Sequence, residues 1–322
     1  MRVRTSARSH VGQRREVNQD AYGVEQPGAA TLLIVCDGMG GHLAGEVAST
    51  LAVDTISASF RPEADPDEAL RTAFTAANDR VYGEGHGSMG TTAVAALLLH
   101  NQLYVANVGD SRAYLVREGQ ITQISHDHSF VSDQVAAGLM TPDEARASNV
   151  RNIITRALGH SAEVAVDLFS HDLRPGDTVL LSTDGMHGLI TDAEIAEIAS
   201  MFPPEQAAQQ LVDRANERGG IDNITVVIAQ VDQLDEPVPA TPAAAPGASE
   251  APAAPPAPTE RPLSRLGLTL AALTLVLLVG VGGLLWAAPG GAHAPAVAPT
   301  APAPTPAIPS PTVSVTPAIP DR

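Results

Sequence analysis

Three aspartates in this sequence stand beside a glycine or asparagine at the edge of an apolar run. Thr31-Leu32-Leu33-Ile34-Val35-Cys36 leads into Asp37-Gly38-Met39-Gly40-Gly41, and Thr178-Val179-Leu180-Leu181-Ser182-Thr183 leads into Asp184-Gly185. Gly219-Gly220-Ile221 leads to Asp222-Asn223, directly before Ile224-Thr225-Val226-Val227-Ile228-Ala229. A carboxylate at a strand end is held rigidly, and an adjacent glycine lets backbone carbonyls and solvent approach it. Three such carboxylates converging in one cleft would form a hard, all-oxygen site suited to Mg²⁺ or Mn²⁺. The chemistry this pattern points to is metal-dependent hydrolysis.

The elements that must carry these residues follow from periodicity and turn signals. Strands are predicted over Leu32–Val35, Thr92–Leu99, Gln102–Val108, Arg112–Val116, Ile121–Ile124, Val164–Phe169, Thr178–Leu181 and Ile224–Val231. Helical patterns fit Ala44–Ser59, Pro66–Tyr82, Thr191–Ser200 and Pro204–Arg218. Helix pairs and strand runs are segregated, without regular βαβ alternation, which favours an α+β fold with antiparallel sheets and helices outside. No internal repeat is evident.

Composition removes several alternatives. Hydrophobic residues make up 44% of the 322-residue chain and aromatics only 3%, so a substantial core must be built from Val, Leu, Ile and Ala. The formal charge of −17 argues against a nucleic-acid partner and suits a protein that holds divalent cations. All 19 basic residues are arginine. Without a lysine there can be no Walker-type phosphate loop, protein-kinase strand lysine or Schiff-base chemistry. The single cysteine, Cys36, cannot form an internal disulfide and falls in a strand position that buries it. It also lacks the following arginine that a cysteine-dependent phosphatase needs.

The chain divides by composition into a globular head over residues 1–234 and a stalk. The opening Met1–Arg8 stretch carries charge with no apolar run behind it and does not read as a secretory signal. Residues 235–265 form a Pro/Ala-rich juxtamembrane linker. Leu266 to Ala288 is an uncharged run of 23 residues. As a helix it would measure about 34 Å, enough to cross a hydrocarbon core of roughly 30 Å. Arg261 and Arg265 precede it and no basic residue follows until Arg322, so the positive-inside rule places the head in the cytosol. Residues 289–322 read as a disordered Pro-rich tail outside the membrane.

Ordered motifs link these pieces. Gly12-Gln13-Arg14-Arg15-Glu16-Val17-Asn18-Gln19-Asp20 precedes Asp37-Gly38-Met39-Gly40-Gly41-His42. Met89-Gly90-Thr91-Thr92, Val108-Gly109-Asp110-Ser111-Arg112, Ser182-Thr183-Asp184-Gly185 and Asp222-Asn223-Ile224-Thr225 follow. In this order and spacing the sequence resembles the metal-dependent protein phosphatase family, protein phosphatase 2C, and the Asp37–Glu46 stretch is most similar to its bacterial Ser/Thr branch. The resemblance covers roughly Arg4 to Val231.

That resemblance implies a four-layer α-β-β-α sandwich of two antiparallel sheets flanked by helices. It implies that Asp37 bridges two Mn²⁺ or Mg²⁺ ions, with the Gly38 carbonyl on one of them, and that Asp184 and Asp222 hold the second. Asp20 would act mainly through bound water. Asp110, with Asp184, would hold a third, weaker ion, with Asn152 as its neighbour. Arg15, five residues before Asp20, would clamp the phosphate bidentately. Two departures stand out. Met39 occupies the place of a histidine that animal members carry, and a thioether donates no proton, so water or His42 would serve. Gln19 replaces an acidic residue found in many members. Ser125 to Asn149 corresponds to a mobile flap, and its His126 and His128 read as a polar loop, since no third ligand accompanies them.

The function these readings imply is a membrane-anchored protein serine/threonine phosphatase acting on phosphoserine and phosphothreonine, beside a membrane Ser/Thr kinase. The alternatives are a catalytically silent scaffold, which intact Arg15, Asp37, Asp184 and Asp222 oppose, and an extracytoplasmic structural protein, which the arginine placement opposes.

Overall fold

A computed structural model describes residues 1–41 and 43–236. Two antiparallel sheets pack face to face. One has the order β1 (Arg2–His10), β11 (Ile224–Gln233), β10 (Thr178–Ser182), β7 (Arg112–Arg117), β8 (Gln120–Gln123). The other runs β2 (Asp20–Glu25), β3 (Thr31–Met39), β5 (Ala93–Leu99), β6 (Gln102–Val108), β9 (Asp167–Asp172), with the two-residue β4 (Gly90–Thr91) paired to β3.

The layering is written in the strands. Successive side chains point to opposite faces, and a strand buried on both faces reads as a continuous apolar run. Along β3, Leu32, Ile34 and Cys36 enter one core while Leu33 and Val35 enter another. Along β11, Ile224, Val226 and Ile228 alternate in the same way with Val227, Ala229 and Val231. The central core lies between the sheets. The outer core on β3 and β5 is closed by α1 (Ala44–Ser59) and α2 (Pro66–Gly85). That on β10 and β11 is closed by α6 (Asp192–Met201) and α7 (Pro204–Glu217). Truncating a fully buried inter-sheet leucine such as Leu33 or Leu98 to alanine would cost about 2–5 kcal/mol. The four-layer α+β sandwich expected from the sequence is therefore the fold observed.

Element ends are set by local chemistry. Asp65 accepts hydrogen bonds from the Asp67 and Glu68 N–H groups to start α2. Thr191 and Glu194 form a reciprocal capping box on α6. The segment between β8 and β9 holds two short helices, α3 (Phe130–Ala136) and α4 (Pro142–Ala147), and α4 begins with the capping box Thr141–Glu144.

Antiparallel alternation brings one set of strand ends to a common rim. The starts of β2, β5, β7 and β11 lie there, together with the ends of β1, β3, β6 and β10. The connections β1–β2 and β6–β7 cross from one sheet to the other at that rim.

The apolar segment Leu266–Ala288, the linker from residue 237 on and the tail 289–322 lie outside the described residues. Among the described residues no helix is long and apolar enough to cross a membrane.

Candidate metal centre

Every carboxylate singled out in the sequence stands at this rim. Asp20 opens β2 and is the direct cross-strand partner of Asp37 on β3. Asp110 follows β6, Asp184 follows β10 at the start of the four-residue helix α5 (Asp184–His187), and Asp222 precedes β11. The first two come from one sheet and the last two from the other, with Asp110 on the crossing between them.

Asp37 is fixed through its backbone. Its N–H donates to Thr92 Oγ1 at 2.9 Å, and its carbonyl accepts from the Thr92 N–H at 2.9 Å and from the Thr91 hydroxyl at 2.9 Å. Gly38 has no room for a side chain, since a Cβ there would lie 2.0 Å from the Gly45 carbonyl oxygen. A Cβ on Gly185 would lie 1.9 Å from the Asn223 carbonyl oxygen, so this glycine lets the Asp184 turn abut the Asp222-Asn223 turn. Asn223 ties the remaining loop down: it accepts from the Gln19 N–H at 2.8 Å and donates to the carbonyls of Val11 and Val17 at 2.9 and 3.0 Å.

The electrostatics put these acids within reach of one another's charge. Burial, followed by the charges of Asp20, Asp184, Asp110 and Asp222, holds Asp37 well above the usual carboxylate range. Burial raises Asp110 to about 8, aided by Asp184 and Asp127 and opposed by its own backbone N–H and Arg112. Asp20 is raised to about 7, chiefly by burial, against hydrogen bonds from Thr225 and Thr183. Asp184 is raised to about 6 by burial and Asp222, against Arg15, Arg151 and Arg112.

Two carboxylate oxygens, Asp20 Oδ1 and Asp184 Oδ1, are buried without a hydrogen-bond partner. Leaving a buried acceptor unpaired is costly, and mutual repulsion among carboxylates adds to that cost. An all-oxygen, strongly acidic set with orphaned oxygens is the donor chemistry a hard divalent cation satisfies. The residues fit Mn²⁺ or Mg²⁺. Among the described residues no three Asp, Glu, His or Cys side chains close up into a ready-made ion cage. The acids instead line the rim near enough to feel one another's charge.

Arg15, on the β1–β2 connection, donates to Asp222 Oδ2 at 2.7 Å and is 49% exposed. It is thus at the rim and reachable from solvent. The connection is pinned by Gly12, in the left-handed region at φ 84°. A Cβ on Gly12 would lie 2.2 Å from the Asp222 carbonyl oxygen. Gln19 donates its side-chain amide toward the Gly40 carbonyl at 3.5 Å. Met39 pairs with Gly90, and His42 lies outside the described residues.

The remaining residues singled out in the sequence are placed as follows. Asn152 is exposed on a turn, and it is its neighbour Arg151 whose charge reaches Asp184. His128 is not a loose loop residue. It is buried, accepts from the Gly109 N–H at Nδ1 (3.0 Å) and lies 3.0 Å from Asp167 through Nε2, anchoring the root of the flap to the Asp110 turn. Cys36 is fully buried, and burial pushes its thiol pKa upward, so it is an inert core residue.

Sequence reasoning missed the hydroxyls and the second arginine around the acids. Arg112 makes a two-oxygen ion pair with Asp127 and donates to the Tyr114 hydroxyl at 3.0 Å, beside Asp110. Thr92 and Ser111 share a 2.7 Å hydrogen bond behind Asp37. Thr and Ser at strand ends are common enough that only the fold singles these out.

Two sheets that meet at an acidic rim, with an arginine over it, form the frame of a metal-dependent phosphatase. The chain belongs to the protein phosphatase 2C family. The family model described as "Protein phosphatase 2C" matches residues 5–134. The protein phosphatase PhpP of Streptococcus pneumoniae is 36% identical over 237 residues, covering 70% of this chain and 96% of the relative. The crystal structure of the Mycobacterium tuberculosis serine/threonine phosphatase PstP/Ppp superposes with a TM-score of 0.67 at 37% identity, covering 72% of this chain and 99% of that one. The catalytic domain of PstP in complex with two manganese ions gives 0.65 at 37% identity, covering 72% and 99%.

Proposed function

We propose that this chain is a metal-dependent protein serine/threonine phosphatase that hydrolyses phosphoserine and phosphothreonine in proteins, using Mn²⁺ or Mg²⁺. The observation that carries the reading is the rim cluster itself: Asp20, Asp37, Asp110, Asp184 and Asp222 share one electrostatic neighbourhood, and two of their buried oxygens lack partners.

In this assignment Asp37, the Gly38 carbonyl, Asp184 and Asp222 would together hold two divalent ions, with Asp37 common to both. Asp20 acts through water, and Asp110 with Asp184 serves a third, weaker ion. The chemistry supplied by ions bound there is acidification of water near neutral pH and neutralisation of phosphoryl charge. Arg15 leaves Asp222 to take the non-bridging phosphate oxygens, a task suited to a forked guanidinium. The hydroxyls of Thr91 and Thr92 on its backbone would keep Asp37 in place for that role.

The test is turnover of a phosphothreonine peptide by the full chain, with and without Mn²⁺. Metal-dependent release of phosphate is the expected result, and silence with Mn²⁺ present would remove the enzyme reading. It would leave the silent scaffold.

The uncharged segment Leu266–Ala288 supports a single membrane crossing, and Arg261 and Arg265 support a cytosolic head. Such a tether places the phosphatase beside a membrane Ser/Thr kinase and its substrates. Retention of the full chain in membranes after alkaline extraction is the expected outcome; release into the soluble fraction would count against the span.

A further inference from the structure

The Asp20 carboxylate is held by one oxygen only. Its Oδ2 accepts from the Thr225 hydroxyl at 2.7 Å and from the Thr183 hydroxyl at 2.9 Å, whereas Oδ1 is buried and unpartnered. Asp20 belongs to the β2 sheet, whereas Thr225 lies on β11 of the opposite sheet and Thr183 directly follows its β10, so the contact also joins the two layers beside the acids.

With Asp20 ionised, as it is when serving a cation, the donor directions in this cluster follow from its acceptors. Asn18 Oδ1 accepts from the Asp20 N–H at 3.3 Å, which orients its amide so that Nδ2 donates to Ser9 Oγ at 2.8 Å. Thr225 spends its single hydrogen on the Asp20 carboxylate, so of the pair Ser9 and Thr225, 2.8 Å apart, it is Ser9 that donates. Thr183 Oγ1 accepts from the Thr225 N–H at 3.0 Å, so its hydrogen also goes to Asp20. The whole chain of donors ends on one carboxylate oxygen, and aligned hydrogen bonds of this kind strengthen one another in a low-dielectric interior.

Thr183 gives up a local role to do this. It is the residue before α5, a position where a threonine hydroxyl ordinarily accepts from the first-turn N–H groups. Thr141 and Thr191 do so on α4 and α6, but Thr183 makes no such bond. Its hydroxyl serves the acid instead of the helix.

We propose that Thr183 and Thr225 are positioning residues of the metal centre, holding Asp20 by Oδ2 so that Oδ1 alone is left to serve the ion and its water. The inference rests on the metal-dependent reading above and adds to it two residues that touch neither phosphate nor ion. Partners of this kind behind a metal-ligand group typically change metal affinity by about 10–100-fold when removed.

The experiment compares Thr183→Val and Thr225→Val, which remove the hydroxyl, with Thr183→Ser and Thr225→Ser, which keep it. Mn²⁺ Kd is measured on the full chain by calorimetry, with the metal-free Tm recorded alongside. Each valine variant is expected to bind Mn²⁺ about tenfold or more weakly, with serine restoring affinity to near wild type. A purely structural role would lower the metal-free Tm and leave the Kd alone. Valine variants that fold and keep the wild-type Kd, or serine variants as weak as valine, overturn the proposal. Should the valine variants not fold, Ser9→Ala cuts the same chain one step out. A smaller but measurable rise in Kd is expected there, and no change overturns the proposal. A wild-type chain that turns over substrate with Mn²⁺ while these variants bind normally would sink this inference and leave the phosphatase assignment standing.

Discussion

Arg15 and Asp222 are joined at 2.7 Å, so the cation assigned to the phosphate rests on a carboxylate assigned to a metal ion. The pair is half-exposed, and a bond of this kind adds under about 1 kcal/mol to stability. Its importance lies in what each partner does when the other lets go.

Arg15→Ala should therefore hardly change the metal-free unfolding free energy. Its effect should fall on kcat/KM for a phosphothreonine peptide, by about 1.5–3 kcal/mol, or roughly ten- to a hundredfold. Arg15→Lys should recover only part of this, because an ammonium cannot make the forked contact. Steady-state kinetics on both variants checks it, and full rescue by lysine would refute the bidentate role.

Asp37→Asn should abolish turnover and at the same time stabilise the metal-free protein. Asp37 feels four other acids, and a neutral amide removes that repulsion. A gain on the order of 1 kcal/mol corresponds to about 2–4 °C in Tm for a domain of this size. Thermal unfolding in chelator measures the gain, and a lower Tm would contradict the repulsion argument.

Stability of the metal-free protein should fall as pH rises from about 4 to about 8. Asp184, Asp20 and Asp110 are raised to about 6, 7 and 8, far above their unfolded values near 4. The folded state binds more protons than the unfolded state across that window, so the stabilisation is complete below the unfolded pKa and is lost through the folded one. Denaturant titrations at several pH values in chelator test the sign. Saturating Mn²⁺ should flatten or reverse the slope, adding about 2.7 kcal/mol at a hundred times Kd.

Gly185→Ala should separate the Asp184 and Asp222 turns, since its Cβ would lie 1.9 Å from a backbone oxygen that cannot swing away. A loss of about 1–3 kcal/mol is expected from overpacking, together with weaker Mn²⁺ binding. Chemical denaturation and calorimetry on the same sample would show both, and wild-type values for either would place the turns as independent.

The acids were legible in the sequence because each is punctuated by glycine or asparagine against an apolar run, and the helix Ala44–Ser59 is found at its predicted bounds. Two of the four edge strands were not. Arg2–His10 alternates arginine with small polar residues and buries little, so it carries no apolar signal, and Asp20–Glu25 is short with a glycine inside. Val164 and Val166 predicted a strand over Val164–Phe169, yet they pack on the outer core ahead of the pairing, which falls on Asp167–Asp172 against β6. For α4 the signal was present in Thr141-Pro142-Asp143-Glu144 and the helix is simply too short for periodicity to show. The hydroxyls on Asp20 were invisible for another reason: Thr183 and Thr225 lie 163 and 205 residues away from it along the chain.

The rim draws Asp20 and Asp37 from one sheet and Asp184 and Asp222 from the other. On the assignment proposed here, an ion held between them acts as a rivet through both layers. A chain emerging from the ribosome exposes Asp37 long before Asp222, so no partial product of synthesis can assemble the centre. Activity would then begin only once β11, the last of the described strands, has slotted between β1 and β10.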